Sequence, residues 1–419
     1  MAIKSILDND LYKFTMQQAV LKLFPNANVV YKFKNRGNEI FDGKLVMDLL
    51  YELFLVKETA LSDNEESYLR SIPFFEPWYI EYLKNYKFNL DQVKVKIKDN
   101  KLDELSIEGP WHSTILWEVP ILYSLSFVYF KNKCLDKNEF AETCRVKMEQ
   151  LDSLNIKFAD FGTRRRASYL SQATLINIAR KYKNSFIGTS NVHFANMYNL
   201  KAIGTMAHEW IMGNSGLNSL RHANKFAMDN WINVYNGNLG IALTDTFGTD
   251  VFLNDFDLKN AKLFDGVRHD SGDPLIFTNK IVDFYTKLGI NTNDKTIVFS
   301  DGISSIQQIK TIKNYCDYKK IKCSFGIGTW LTNDFKNTTP LNIVIKLDSI
   351  NNIPVVKLSD DEGKETGNSK ALNIAKWTFQ KLNKNKLCEK CLLYDYYDGF
   401  CKHKDDIKLN NCNYFKPEE

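Results

Sequence analysis

The chain lacks most of the short signatures that announce an enzyme's chemistry. It has no Gly-x-Ser-x-Gly elbow, no Walker loop and no His-x-x-x-His pair. These absences argue against a serine-hydrolase elbow, a P-loop nucleotidase and a helix-borne catalytic zinc site. Histidine is scarce, at six residues. A strong net charge is missing too: 55 basic and 50 acidic residues leave +5, too balanced to call for nucleic acid. The start, Met-Ala-Ile-Lys-Ser-Ile-Leu-Asp, reaches charge without an apolar signal core. The longest apolar stretch, Ile115 to Phe130, contains Glu118 and Pro120 and reads as too short for a membrane span. No membrane partner is expected. Eight cysteines without an export signal are expected as reduced thiols in the cytoplasm.

What the chain does have is a rhythm. Seven apolar runs, Ile156–Phe161, Ser185–Gly188, Ala202–Thr205, Gly240–Thr244, Leu263–Val267, Thr296–Phe299 and Cys323–Gly326, read as buried strands. Each leads into a short polar motif, and a segment with helical spacing follows most of them. Repetition of strand, polar loop and helix predicts a parallel α/β barrel, with the active site in the loops at the C-terminal strand ends. The barrel is expected over residues 146–360. Residues 1–145 lack the rhythm: a helix capped at Asn9 or Asp10 runs to Phe24, and Asn28–Phe33 alternates like a strand. These residues are read as a separate N-terminal α+β domain. Residues 361–419 are read as a C-terminal extension with a Cys-rich tail.

The loop motifs carry the candidate chemistry. Arg164, Arg165 and Arg166 stand at the head of a helical segment, where guanidinium forks and the helix N-terminus hold polyanions. A solvated basic turn is the plain alternative. Ser300-Asp301-Gly302 and Gly326-Ile327-Gly328-Thr329 are small loops whose backbone amides can cradle phosphate. In Arg268-His269-Asp270-Ser271-Gly272-Asp273-Pro274, Asp273 suits a helix cap and Asp270 a ligand contact through Mg²⁺ or ribose hydroxyls. His208 can act as a base, a metal ligand or a nucleophile toward phosphorus, or it can be a satisfied structural histidine. In the tail, Cys388, Cys391, Cys401 and Cys412 could close a tetrahedral Zn²⁺ site, or be loose thiols.

Taken in order, Asp8-Asn9-Asp10-Leu11-Tyr12-Lys13, Gly109-Pro110-Trp111, Leu116-Trp117-Glu118-Val119-Pro120 and the barrel loops resemble the nicotinate phosphoribosyltransferase family, particularly its bacterial form, over about residues 5–360. The resemblance implies an irregular α/β barrel with an N-terminal domain, assembled as a homodimer. It implies that nicotinate joins 5-phosphoribosyl-1-pyrophosphate (PRPP), with coupled ATP hydrolysis and Mg²⁺. By the same resemblance His208 is phosphorylated by ATP, Asp245 orients it, and Asp270 holds the ribose hydroxyls. Tyr12, Thr205 and Arg268 contact nicotinate, with Tyr12 reaching the partner subunit's site. Arg164, Arg166, Asp301, Gly326, Gly328 and Thr329 serve the phosphates. Ser190 stands where nicotinamide-using relatives carry an aspartate. A carboxylate there would repel nicotinate, so the acid is expected over the amide. The alternatives are a nicotinamide or quinolinate phosphoribosyltransferase, or a non-catalytic relative that binds zinc and a partner through its tail.

Overall fold

The computed structural model describes residues 2–361 and 363–384, with the backbone of 394–395 and 400–401 besides. An antiparallel sheet begins with β1 (Asn28–Asn35), β2 (Val93–Lys98) and β3 (Lys101–Pro110). The β2–β3 hairpin turns at Asp99 and Asn100, whose φ values of +49° and +56° are the left-handed pair that a tight hairpin needs. Asp and Asn accept that conformation through their short polar side chains.

The second sheet is parallel and carries the rhythm read from the sequence. It contains β4 (Phe158–Asp160), β5 (Phe186–Thr189), β6 (Ile241–Leu243), β7 (Gly266–His269), β8 (Thr296–Phe299) and β9 (Lys322–Ile327). Their order is β5-β4-β9-β8-β7-β6. Helices cover it, so its strands are nearly continuous apolar runs. Two expected strands differ. Ala202–Thr205 makes only one bridge, Ala202 to Thr189, while Thr205 Oγ1 donates to the carbonyl of Ile241 at 2.9 Å. This irregular segment thus spans from the β5 edge to β6, the two ends of the sheet. The run Leu263–Val267 begins as the end of helix Leu258–Leu263, and β7 starts only at Gly266.

The expected domain boundaries are also crossed. β10 (Ile343–Ile350) pairs with β1 in antiparallel register, from Val29 opposite Ile350 to Asn35 opposite Ile343, and β11 (Ile353–Pro354) lies beyond it. The last strong strand of the barrel segment therefore belongs to the N-terminal sheet. Helix Ser369–Lys384 buries Ala375 and Phe379, and Phe379 stacks on Phe247 at 4.8 Å. A boundary at residue 361 therefore falls too early. Cys388, Cys391 and Cys412 lie outside the described residues, as does the side chain of Cys401. The helical stretch Trp111–Phe130 has the length and hydropathy to cross a membrane, which corrects the reading of its length; 83% of it is buried inside the protein.

Arg166 is a further correction. Its guanidinium is fully buried and grips Asp8 with both forks, Nη1–Oδ1 at 2.8 Å and Nη2–Oδ2 at 2.7 Å. Gln172 accepts a third bond, and the Tyr123 ring lies 3.6 Å from the guanidinium carbon. With no face toward the cavity described below, Arg166 does not serve phosphates. It ties the N-terminal segment to the barrel. Burial alone would raise the Asp8 pKa, but Arg166 holds it below the usual carboxylate value. Replacing one partner of such a pair leaves a buried charge unanswered. Arg166→Met is expected to cost about 3–5 kcal/mol in urea unfolding. A loss under about 1 kcal/mol would show that the pair does not anchor the segment.

Candidate active site

A cavity of about 340 Å³ opens at the C-terminal ends of the parallel strands. A side pocket of about 80 Å³ adjoins it, and the two share Tyr12, Phe161, Arg164 and Arg268. The side pocket is the more apolar, with Ile203, Ile241 and Val298 in its wall beside Thr205, Ser190 and Asp10. The main cavity is cationic. Arg36, Arg164, Arg165, Arg268, Lys346, Lys357 and Lys364 face it, against Glu118, Glu209, Asp270 and Asp301. Gly326, Gly328 and Thr329, expected to serve the phosphates, also line it. Arg165 stands there in place of Arg166, its pKa pushed down to about 10 by burial and by the charges of Arg164 and Arg36. Burial and the charge of Lys357 push the Lys346 ammonium down to about 8. Such crowding of like charge points to an anionic ligand.

Gly326 has a definite steric reason. A Cβ there would lie 2.3 Å from the Phe161 ring. Only glycine lets that ring stand between the two cavities.

His208 opens helix His208–Leu217 and is buried. Its Nδ1 lies 2.9 Å from Thr246 Oγ1. Its Nε2 lies 2.9 Å from Lys357 Nζ and 3.0 Å from Asp270 Oδ2. Burial and Lys357 push its pKa down to about 4, so the imidazole is neutral at pH 7. Asp245 was expected to orient this ring. Its Oδ1 is 3.8 Å from Nε2, outside hydrogen-bond distance, and its Oδ2 pairs with Lys357 at 3.0 Å and accepts from Ser271 at 2.6 Å. Asp245 therefore reaches the ring through Lys357, and Asp270 touches it directly. Asp270 also binds Arg268 Nη2 and accepts from Ser300, both at 2.8 Å.

Tyr12, expected to reach the partner subunit's site, stands at the cavities of the chain that carries it. The helix that carries it, Leu11–Leu23, is docked by Leu11 N–H donating to the Ser190 carbonyl at 2.7 Å. Behind it, Lys13 is fully buried between Glu118 (2.6 Å) and Glu209 (2.5 Å). Glu209 also accepts from Tyr31 and from Trp111 Nε1.

Sequence reading missed Phe161, Arg36, Lys346, Lys357, Lys364 and Asp10. Lys357 had a visible signal: it follows the apolar pair Val355-Val356 and precedes Leu358-Ser359-Asp360-Asp361, the same apolar-then-polar pattern as the other loops.

Comparison with known proteins agrees with this geometry. Residues 7–126 match the N-terminal domain of the nicotinate phosphoribosyltransferase (NAPRTase) family, and residues 156–383 match that family itself. The nicotinate phosphoribosyltransferase of Methanococcoides burtonii is 46% identical over 90% of this chain and 98% of its own length. That of Desulforapulum autotrophicum is 48% identical over 88% and 97%. The crystal structure of nicotinate phosphoribosyltransferase from Porphyromonas gingivalis superposes with a TM-score of 0.87 at 38% identity, covering 90% of this chain and 100% of that one. The enzyme from Vibrio cholerae gives 0.85 at 33% identity, with 92% and 98% covered. Matches that take in both sheets and span nearly whole relatives leave one conclusion: the chain belongs to the nicotinate phosphoribosyltransferase family.

Proposed function

We propose that this chain makes nicotinate mononucleotide and pyrophosphate from nicotinate and PRPP. One observation carries the reading. A small apolar pocket, sized for a flat ring, opens through Tyr12, Phe161 and Arg268 onto a cationic cavity suited to phosphates. Arg268 supplies a fork for the ring's carboxylate. Tyr12 and Phe161 supply aromatic surface for the ring. The ring nitrogen attacks C1 of the ribose, the C1–O bond breaks, and pyrophosphate leaves with the electron pair. The transition state is oxocarbenium-like, as in glycosyl transfer. Arg36, Arg165, Lys346 and Lys364 face the space where the leaving charge grows.

The reading includes Mg²⁺, which prefers hard oxygen ligands. Asp245 Oδ1 is buried with no hydrogen-bond partner among the described residues, and Asp245 and Asp270, with His208, bring ligand atoms within 4.8 Å of one another. Those oxygens would hold the ion, which when bound offsets charge on the pyrophosphate.

It also includes ATP and a transient phosphohistidine. In the tautomer that carries its single N–H on Nδ1, beside Thr246 Oγ1, the neutral ring presents the Nε2 lone pair. Nε2 attacks the γ-phosphorus and ADP leaves; water later returns the group as phosphate. A phosphoryl group brings roughly −1.5 to −2 charge. Lys357, 2.9 Å from Nε2, answers that charge, whereas Asp270 at 3.0 Å is repelled. Asp270 then loosens from His208 and is free for the ribose hydroxyls. Phosphorylation thus favours the state that grips PRPP by differential interaction.

The decisive assay follows product from nicotinate, PRPP and Mg²⁺, with and without ATP, with nicotinamide in parallel. Faster nicotinate mononucleotide formation with ATP, release of ADP and an inert nicotinamide are expected. No turnover of any pyridine would return the non-catalytic alternative. His208→Ala is expected to abolish ATP coupling and leave slow ATP-independent synthesis; full coupling in that variant refutes the phosphohistidine. Because the ring titrates near pH 4, labelling of His208 from ATP is expected to stay level from neutral pH down to about pH 5 and to fall below that. Loss beginning between pH 6 and 7 would show a ring with an ordinary pKa.

A further inference from the structure

The side pocket contains a carboxyl group that the scheme above does not use. Asp10 is 2% exposed and stands at the N-cap of helix Leu11–Leu23, yet its side chain makes no cap bond. Instead Oδ1 lies 2.7 Å from Ser190 Oγ, and both residues line the pocket beside Thr205 and Arg268. The main chain fixes the pair at two points, Leu11 N–H to the Ser190 carbonyl and the bridge from Asp10 to Asn191. A carboxyl group therefore does stand beside position 190, contributed from another part of the chain. The groups facing it are Arg164 from the turn after β4, Arg268 from β7, Tyr12 from its own helix and Asp160 at the end of β4. Burial raises the Asp10 pKa, against the charge of Arg164 and hydrogen bonds from Ser190 and Thr163, and the charge of Asp160 adds to the rise.

The hydrogen-bond inventory gives this pair two states. Ser190 owns one proton. When Asp10 is ionised, that proton points at Asp10, and the pair offers the pocket lone pairs only. A carboxylate is then repelled, and a carboxamide N–H₂ is accepted. When Asp10 is protonated, it donates to Ser190, whose own proton turns to the pocket and meets a carboxylate. We propose that Asp10 is a specificity-determining residue, which as the neutral acid makes Asp10 and Ser190 a donor relay for the substrate carboxylate beside Arg268. Its ionisation turns the same pair into a reader of the amide. This inference rests on the function proposed above.

Two measurements on the full chain test it. Steady-state kinetics would run from about pH 5.5 to about pH 9 with nicotinate and with nicotinamide. The KM for nicotinate is expected to rise, by up to roughly tenfold per pH unit once Asp10 ionises, with kcat little affected. Preference for nicotinate over nicotinamide falls in step. Asp10→Asn cannot ionise, so the rise in KM is expected to disappear. Asp10→Ala is expected to lower kcat/KM for nicotinate by roughly tenfold to a hundredfold. The second measurement needs no variant: nicotinate binding to the wild-type chain, by calorimetry in two buffers of different ionisation enthalpy, should take up one proton at high pH, and nicotinamide binding none. A flat KM profile, an unchanged rise in Asp10→Asn, or no proton uptake overturns the inference. Absence of any nicotinate turnover by the wild-type chain instead overturns the function on which it rests.

Discussion

Everything at the site hangs on a lysine with no access to water. Lys13 sits fully buried between Glu118 and Glu209, and its pKa, which burial would lower, is held above the usual value by those two carboxylates. Removing three charges from water is costly, and only close geometry with further hydrogen bonds offsets it. Tyr31 and Trp111 supply those bonds. The cluster joins four pieces of chain: the first helix, β1, the segment after β3 and the helix that starts at His208. Glu209 is the next residue after His208, so the ions that lock the N-terminal sheet to the barrel also fix where the imidazole stands. Stability and chemistry meet at adjacent residues.

The strand-loop-helix rhythm was legible because a sheet covered on both faces needs continuous apolar runs, and such runs bracket themselves with polar loops. Thr296–Phe299 emerged with the limits read for it. Ala202–Thr205 has the same composition but makes only the single bridge from Ala202 to Thr189, and composition cannot report how far a ladder extends. β10 reads as a strand equally well; that it pairs with β1, some three hundred residues earlier, is a matter of topology and not of local pattern. The arginine run shows the same limit at single-residue scale. Arg164 and Arg165 face the cavity while Arg166 turns into the core, because a short 3-10 turn sends consecutive side chains in different directions. Nothing in three identical letters distinguishes them. Asp8 and Asp10 likewise diverge, one gripping Arg166 and the other entering the ring pocket.

The site holds its charges in unequal states. Arg268 and Asp270 are paired with each other, and Asp245 with Lys357, while Lys346 and Arg165 are held below their ordinary values. The protein has neutralised internally the end nearest His208 and left the far end in excess of positive charge. Under the proposed scheme, phosphates meet uncommitted cations there, and the histidine side exchanges partners before it grips.

Gly326 gives the two halves of the site a shared fate. It lines the cationic cavity, yet the space its missing side chain leaves is filled by the Phe161 ring, which also walls the apolar side pocket. A methyl group added at one end would push out the aromatic wall at the other. Selection cannot reshape the cationic cavity and the apolar side pocket separately at this point. An engineer widening the pocket for a bulkier heterocycle would have to redesign the anion loop in the same step.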